Sequence, residues 1–260
     1  MRPNKTKAKL RAGQVAIGYI LGIPAPALVE VAGQAGLDFV VIDCEHGPMN
    51  EQTAEDMIRA AEVVDVTPLV RVPSNRPEVI LRFLDRGAAG VVVPHVNTRQ
   101  DAEAVVSAVK FAPEGRRGYA AGRWTIGTSG NPFEFSNRET LVICMVEEKA
   151  GVANIEEILA VPGLDVIHIG AGDLAQELGL IGQTTHPEVV ATVRHLITAT
   201  VARGKVAGTG GVRVTDYEGV RANLALGARF VTVSPPALLE QATRDFREQV
   251  LRTPAESAAS

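Results

Sequence analysis

The sequence alternates eight times between a short apolar run and a segment that can form a helix. The runs are rich in Val and Ile and mostly continuous, which is typical of parallel strands covered on both faces. They occupy residues 14–20, 39–43, 67–72, 90–96, 141–147, 166–170, 206–210 and 230–234. Eight strand–helix units about thirty residues apart predict an α/β fold of the (β/α)8 TIM-barrel type, with eight parallel strands, in preference to an open sheet.

Helical patterns lie between the apolar runs, at residues 27–35, 50–64, 78–86, 99–111, 151–158, 187–202 and 217–226. Gly stands where several of them pass into the next strand, which is a C-cap signal. We expect one domain over residues 1–260, with residues 1–12 and 253–260 as tails. The stretch 113–138 is longer than an ordinary connection, and such loops are usually functional or disordered.

Composition excludes several classes of protein. A length of 260 residues suits one barrel. The sequence has 26 Lys and Arg residues and 30 Asp and Glu residues, so its net charge is −4. This charge and the lack of a recurring basic patch argue against nucleic-acid binding. No apolar run reaches about 18 residues and no signal peptide is recognisable. Cys44 and Cys144 lie in apolar runs and give no disulfide framework. We expect a cytoplasmic protein that binds neither nucleic acid nor membrane.

Two acidic residues follow apolar runs at neighbouring strand ends, where barrels of this kind build their sites. Glu147 and Asp173 would bring two carboxylates together, and these repel unless a cation or a shared proton intervenes. Few oxygen ligands with room for water suit Mg²⁺ or Mn²⁺. The alternative is that both are solvated acids near helix N-termini.

His46 and Arg71 also stand at predicted strand ends. His46 is a candidate general base because the pKa of histidine lies near neutrality, and Asp43 or Asp85 would orient it. The alternative for His46 is a histidine that is hydrogen-bonded within its loop. Arg71 would be costly to bury without an anion, so a substrate carboxylate or an internal acid is its expected partner.

Three further patterns leave alternatives open. Residues 170–175 match the dinucleotide pattern G-x-G-x-x-A, but Asp173 would face the pyrophosphate and no strand ends in an acid about 20 residues later. The turn at 208–211 would present N–H groups to a phosphate or, as we favour, be simply tight. Lys149 would be a Schiff-base lysine or, as we favour, a solvated one.

Eight short strings carry a specific resemblance that runs from about Gly13 to Leu251. They are D-F-V-V-I-D-C-E-H-G-P (38–48), V-R-V-P (70–73), L-D-R-G-A (84–88), P-H-V-N-T (94–98), P-E-G-R-R-G (113–118), V-E (146–147), I-G-A-G-D-L (169–174) and H-P-E (186–188). Together they resemble the HpcH/HpaI aldolase family. These are metal-dependent class II pyruvate aldolases, such as those for 4-hydroxy-2-oxoheptanedioate and 2-keto-3-deoxy sugar acids.

The resemblance implies a lyase that cleaves or forms 4-hydroxy-2-oxoacids through a metal-stabilised pyruvate enolate, with an aldehyde as the other partner. It implies that Glu147 and Asp173 hold Mg²⁺ or Mn²⁺, with Co²⁺ as a further option. It makes His46 the general base, tuned by Asp85 and Asp43, and assigns the ketoacid and its enolate charge to Arg71. The backbone at Gly172 and Asp173 would meet the substrate carboxylate. The family also implies a homohexamer that exchanges its last helix, with residues 245–252 at a subunit contact.

The sequence departs from the family pattern near the expected ketoacid. Met145 replaces a glutamine, Ala171 replaces a proline, and His95 and His168 stand where the family is usually apolar. We expect His168 to be a hydrogen-bonded core histidine, although His168, His95 and Met145 together would reshape the pocket floor. Three alternatives therefore stay open: decarboxylation or another carbon–carbon bond formation at the same site, a class I enzyme that uses Lys149, and a non-catalytic ligand-binding barrel.

Overall fold

Eight parallel strands close into a barrel in the order of the sequence, in a computed structural model that describes residues 2–128, 130–210 and 214–252. Each strand pairs with the next, and β8 pairs with β1. The strands are β1 Ala16–Leu21, β2 Phe39–Asp43, β3 Thr67–Arg71, β4 Gly90–Val93, β5 Leu141–Val146, β6 Val166–Gly170, β7 Val206–Gly210 and β8 Phe230–Val233. The predicted (β/α)8 TIM barrel is confirmed.

The helices surround this barrel, and most lie where the periodicity predicts them. They are α1 Lys5–Arg11, α2 Pro26–Gln34, α3 Glu51–Val63, α4 Pro77–Asp85, α5 Arg99–Val109, α6 Pro132–Glu139, α7 Lys149–Ala153, α8 Ile155–Leu159, α9 Ala171–Glu177, α10 Pro187–Ala202, α11 Tyr217–Ala225 and α12 Pro235–Leu251. The helix predicted at 151–158 is two short helices that meet at Asn154. In the described part of the chain, no helix is long and apolar enough to cross a bilayer.

The amino-terminal segment is not the tail that the sequence predicts. Asn4 caps α1, and Leu10 packs against the apolar cluster inside the barrel. Lys7 is 3% exposed, pairs with Asp165 at 2.8 Å and donates to the carbonyl of Thr140. The prediction of a tail was wrong for residues 5–11. These residues form a helix, and the polar residue Lys7 is buried there because it pairs with Asp165. The second predicted tail, residues 253–260, lies outside the described residues.

The long connection between α5 and β5 contains two short helical elements. It contains a 3₁₀ turn, Arg123–Thr125, and then α6, and the side chain of Trp124 in that turn is fully buried. Because it enters β5 at its first residue, this connection lies at the amino-terminal end of the barrel, away from the strand ends that carry the candidate site.

Aromatic side chains fill the barrel interior below the site. The rings of Phe39 and Phe230 stack with their centroids 4.1 Å apart. Gly18 on β1 makes room for them, since a Cβ there would lie 2.2 Å from the carbonyl oxygen of Phe39 and 2.4 Å from its ring. The interior is therefore a packed core, as in other barrels of this type.

We predict that Gly18→Ala destabilises the protein by about 1–3 kcal/mol, because the added methyl group overpacks the stacked rings. Gly22→Ala at the end of the same strand is the matched control, since a Cβ there meets no described atom within 4 Å. Urea unfolding followed by circular dichroism measures both variants. Equal stability of the two would contradict the packing argument.

Candidate active site

A cavity of about 260 Å³ opens at the carboxyl ends of the strands. Its lining includes five of the predicted site residues: His46, Arg71, Met145, Gly172 and Asp173. It also includes residues to which the sequence analysis gave no binding role, among them Ile20 on β1, Thr232 on β8 and Ser234 directly after β8. The closed barrel thus brings residues from both ends of the sequence to one rim, as this architecture requires.

Arg71 is held rigidly by Asp43 on the neighbouring strand. The two residues are paired in the register of β2 and β3, and both side chains are under 10% exposed. Nε and Nη2 of Arg71 donate to the two carboxylate oxygens of Asp43 at 2.9 and 2.6 Å. Burial alone raises the pKa of Asp43, but the hydrogen bond and the charge of Arg71 outweigh it and lower that pKa overall. The internal ion pair is present, and Arg71 still faces the cavity.

The carboxylate of Asp43 contacts the backbone of His46 and not its imidazole. It accepts the N–H groups of Glu45 and His46, each at 3.2 Å, and so fixes the turn that follows β2. The imidazole of His46 is 66% exposed, and its Nε2 lies 4.0 Å from Glu45 Oε2. Within the chain, the acid beside the His46 ring is therefore Glu45, and the role of Asp43 is to position Arg71 and the turn.

The structure does not bring Asp85 to His46 within one chain. Helix α4 starts at the carboxyl end of the barrel and ends at the opposite end, and Asp85 is its last residue. Its carboxylate accepts a hydrogen bond at 2.9 Å from Arg117, whose side chain is fully buried. The predicted tuning of His46 by Asp85 has no support inside a single subunit, because the last turn of α4 lies at the amino-terminal end of the barrel, whereas His46 follows the carboxyl end of β2.

Glu147 directly follows β5 and is 2% exposed. Its Oε1 accepts the N–H of His95 at 2.9 Å, and its Oε2 lies 2.6 Å from the point where a Cβ on Gly170 would stand. Burial raises the pKa of Glu147, and the negative charge of Asp173, in the first turn of α9, raises it further. The two predicted carboxylates are thus close enough to repel each other.

Two residues near this acid pair were given no site role by the sequence analysis, which expected His95 only to help reshape the pocket floor and did not consider Glu45. His95 has a left-handed backbone (φ 55°), and its Nδ1 lies 2.7 Å from Glu148 and its Nε2 3.3 Å from Glu45. Burial lowers the pKa of His95, but the hydrogen bond to Glu148 and the charges of Glu147 and Glu45 outweigh it and raise that pKa. Glu45 also lies 3.3 Å from Nη1 of Arg71. The position of Glu45 between Asp43 and His46 in the sequence could have indicated that it belongs to the site.

The site fits a divalent cation. Glu147 and Asp173 supply hard oxygen donors, and the pKa of Glu147 is raised first by burial and then by the charge of Asp173, an environment that a cation would compensate. Among the described residues, no three His, Cys, Asp or Glu side chains are grouped to hold a metal ion. A cation here would thus take these two carboxylates from the protein and complete its coordination with other oxygen atoms, as Mg²⁺ usually does.

The three further patterns from the sequence can also be located in the structure. Lys149 is exposed at the start of α7 and does not line the cavity. The G-x-G-x-x-A string passes directly from β6 into the short helix α9 with Asp173 in its first turn. Gly208 and Gly210 are strand residues of β7 that pack against His168, and Gly211 lies outside the described residues.

Comparisons with known proteins agree with this geometry. The family described as HpcH/HpaI aldolase/citrate lyase matches residues 18–234. A hydroxypyruvate/pyruvate aldolase of Roseobacter denitrificans is 37% identical over 234 residues, covering 89% of this chain and 90% of that protein. A 5-keto-4-deoxy-D-glucarate aldolase of Escherichia coli O157:H7 is 37% identical over 233 residues, with the same coverage. The solved structure of citrate synthase SbnG is similar with a TM-score of 0.82 at 32% identity, covering 94% of this chain and 96% of that one.

We predict that Glu147→Gln weakens Mn²⁺ binding by about 100-fold or more, because the amide removes one of two protein ligands. Isothermal titration calorimetry of the purified protein measures the affinity directly. Glu157→Gln, an exposed acid on α8, is the control and should bind Mn²⁺ as the wild type does. Unchanged affinity in Glu147→Gln would remove the assignment of this ligand.

Proposed function

Because the chain belongs to the HpcH/HpaI aldolase/citrate lyase family, we propose that it is a divalent-metal-dependent aldolase for 4-hydroxy-2-oxoacids. The family and its named relatives make it an aldolase-type lyase of 2-oxoacids. The metal requirement, pyruvate or a near relative as the donor, and an aldehyde as the other partner are the finer parts of the proposal. One observation carries them: a buried carboxylate, Glu147, faces the charge of Asp173, and a fixed guanidinium and a histidine line the same cavity as Asp173.

Glu147 and Asp173 would hold the cation. Mg²⁺ or Mn²⁺ is the expected ion from the oxygen donors, and Co²⁺ is a further option. When bound, the ion supplies Lewis-acid polarisation of the 2-oxoacid carbonyl and neutralises the facing carboxylates. The first-turn N–H groups of α9 at Gly172 and Asp173 have no partner within that helix and would donate hydrogen bonds to the substrate carboxylate.

His46 would act as the general base. Its exposed imidazole lines the cavity and can take a proton from C3 of the 2-oxoacid, then return it to C3 or pass it to solvent. Because its backbone N–H is bonded to Asp43, the same residue that holds Arg71, the base and the guanidinium are fixed to one carboxylate. Their separation is therefore set by the pairing of β2 with β3.

Arg71 would neutralise the charge that develops on the 2-oxo oxygen when C3 loses its proton. Nε and Nη2 are bound by Asp43, so Nη1 is the guanidinium nitrogen oriented toward Glu45 and the cavity. A guanidinium held in this way needs no reorganisation as charge develops, which is the basis of electrostatic stabilisation in enzymes. Met145 contributes only apolar contact, because its thioether cannot donate a hydrogen bond.

A second candidate is a carbon–carbon bond-forming synthase at the same site. This candidate is supported by the similarity, at 32% identity, to a protein named as a citrate synthase. Such an enzyme, or a decarboxylase, would process oxaloacetate while leaving a panel of 4-hydroxy-2-oxoacids uncleaved.

The class I alternative predicts that borohydride traps pyruvate on Lys149 even in the presence of EDTA, and the exposed position of that lysine disfavours this alternative. A non-catalytic barrel predicts no metal-dependent C3 exchange at all.

We predict that the wild type exchanges the C3 protons of pyruvate for deuterium only when Mg²⁺ or Mn²⁺ is present. His46→Ala should slow this exchange by about 10²–10⁴-fold, the usual contribution of a general base, while Mn²⁺ binding stays unchanged. Proton NMR in D₂O measures the exchange. Full activity of the metal-free protein, or of His46→Ala, would contradict the proposal.

The last helix supports a homo-oligomer, for which we propose the hexamer with helix exchange. Of the described residues of α12, only Pro235 is buried. Leu239, Phe246 and Val250 are 62–71% exposed and fall on one face at helical spacing. An apolar face of this kind needs a covering partner, and a neighbouring subunit would provide it.

We predict that Phe246→Glu reduces the oligomeric state, because it places a charge in the covered face of α12. Gln241→Glu, which adds a charge to a different face of the same helix, should leave the assembly intact. Light scattering coupled to size-exclusion chromatography measures the mass of both variants. A wild type that is monomeric at micromolar concentration would overturn the proposed exchange.

A further inference from the structure

The floor of the cavity is polar where the rest of the barrel interior is apolar. Below it, the interior positions hold Phe39, Val41, Leu69, Val92, Ile143 and Phe230. At the level of the cavity they hold Met145, His168 and Thr232. His168 is 4% and Thr232 3% exposed. Buried polar groups destabilise a protein when they lack hydrogen-bond partners. Apolar packing alone therefore does not account for these two side chains.

Two glycines on β7 create the place for the His168 ring. A Cβ on Gly208 would lie 2.9 Å from Nδ1, and a Cβ on Gly210 would lie 2.9 Å from Nε2 and 2.3 Å from Thr232 Oγ1. The ring also meets the edge of Phe230, with centroids 5.6 Å apart and an interplanar angle of 84°. The orientation of His168 is therefore fixed by its surroundings and places Nε2 3.4 Å from Thr232 Oγ1.

The hydrogen-bonding capacity of this pair is incomplete within the protein. Among the described residues, Nδ1 of His168 has no hydrogen-bond partner. Burial, and to a smaller extent the charge of Arg71, lowers the pKa of His168 to about 3, so the ring is neutral and carries one proton. An unmatched buried N–H is rarer than an unmatched acceptor, so the proton belongs on Nε2, where Thr232 accepts it.

Thr232 is then left with a proton to donate. Its hydroxyl accepts from His168 and can donate its own hydrogen, and Thr232 lines the cavity. Met145, its neighbour on the floor, cannot serve as a donor. A substrate oxygen that reaches the floor would therefore complete the bonding of Thr232, whereas a methyl group there would leave the hydroxyl unpaired.

We propose that Thr232, oriented by His168, recognises a hydroxyl group on C3 of the donor, so that this site favours a 3-hydroxylated 2-oxoacid such as hydroxypyruvate over pyruvate. The proposal rests on the aldolase function proposed above and deepens it. Thr232 is the specificity-determining residue and His168 a positioning residue. Sites built to hydrogen-bond a substrate hydroxyl reject an analogue that lacks it, because the protein group is then left unpaired.

The test compares kcat/KM for C3 deuterium exchange of hydroxypyruvate and of pyruvate by the Mn²⁺-loaded enzyme. The wild type should favour hydroxypyruvate by about tenfold or more. Thr232→Val, which keeps the shape and removes the hydroxyl, should lower the value for hydroxypyruvate by about tenfold and leave that for pyruvate within about threefold. Thr232→Ser should restore the preference.

Thr209→Val is the matched control. Thr209 is buried on the outward face of β7, and its hydroxyl has no partner among the described residues. The same isosteric change there should leave the ratio of the two donors unchanged. Equal losses for both donors in Thr232→Val, or a wild type that favours pyruvate, would overturn the proposal and leave the aldolase function standing.

A second measurement does not depend on turnover. Nitrogen-15 NMR of the histidines in the intact enzyme should show His168 neutral near pH 7 with its proton on Nε2, assigned by comparison with His168→Phe. A proton on Nδ1 would overturn the arrangement. Absence of exchange with either donor and any divalent ion would instead defeat the proposed function, and this inference with it.

Discussion

Closure of the eight parallel strands is the constraint on which the rest of this structure depends. A closed ring leaves every strand paired on both sides, and all eight carboxyl ends meet at one rim. The stacked Phe39 and Phe230, accommodated by Gly18, fill the ring below that rim. The candidate chemistry is therefore confined to that rim, where the cavity and the chemically active side chains lie.

The buried pair of Asp43 and Arg71 organises the charges at this rim. One carboxylate binds the guanidinium through two hydrogen bonds and also accepts the N–H groups of the turn that carries Glu45 and His46. The pair compensates its own charge, whereas Glu147 is buried and faces the negative charge of Asp173, and both effects raise the pKa of Glu147. The rim therefore combines a neutralised arginine–aspartate pair with carboxylates that a cation would stabilise.

Much of the site was predictable because strand ends are readable in sequence. Glu147, Asp173, Arg71 and His46 each follow an apolar run, and the barrel rule converts that position into proximity. Asp85 and the residues of α1 show where this reasoning stops. Asp85 belongs to a helix whose last turn lies at the opposite end of the barrel, and Lys7 is polar yet buried because Asp165 receives it. The end of α4 at which Asp85 lies follows from the predicted helix at 78–86. The pairings of Asp85 with Arg117 and of Lys7 with Asp165 have no local signature, because each partner is more than thirty residues away.

The sequence by itself determined the architecture and the kind of chemistry. The eight apolar runs required a barrel, and the acids, the arginine and the histidine that end four of them, together with the family strings, indicated an aldolase. Only the tertiary structure decided which groups pair: Asp43 with Arg71, His95 with Glu147 and Glu148, and His168 with Thr232. The physical reason is that periodicity along a strand fixes which face a side chain occupies, whereas its partner across the barrel depends on register, burial and the space that residues such as Gly208 and Gly210 leave open.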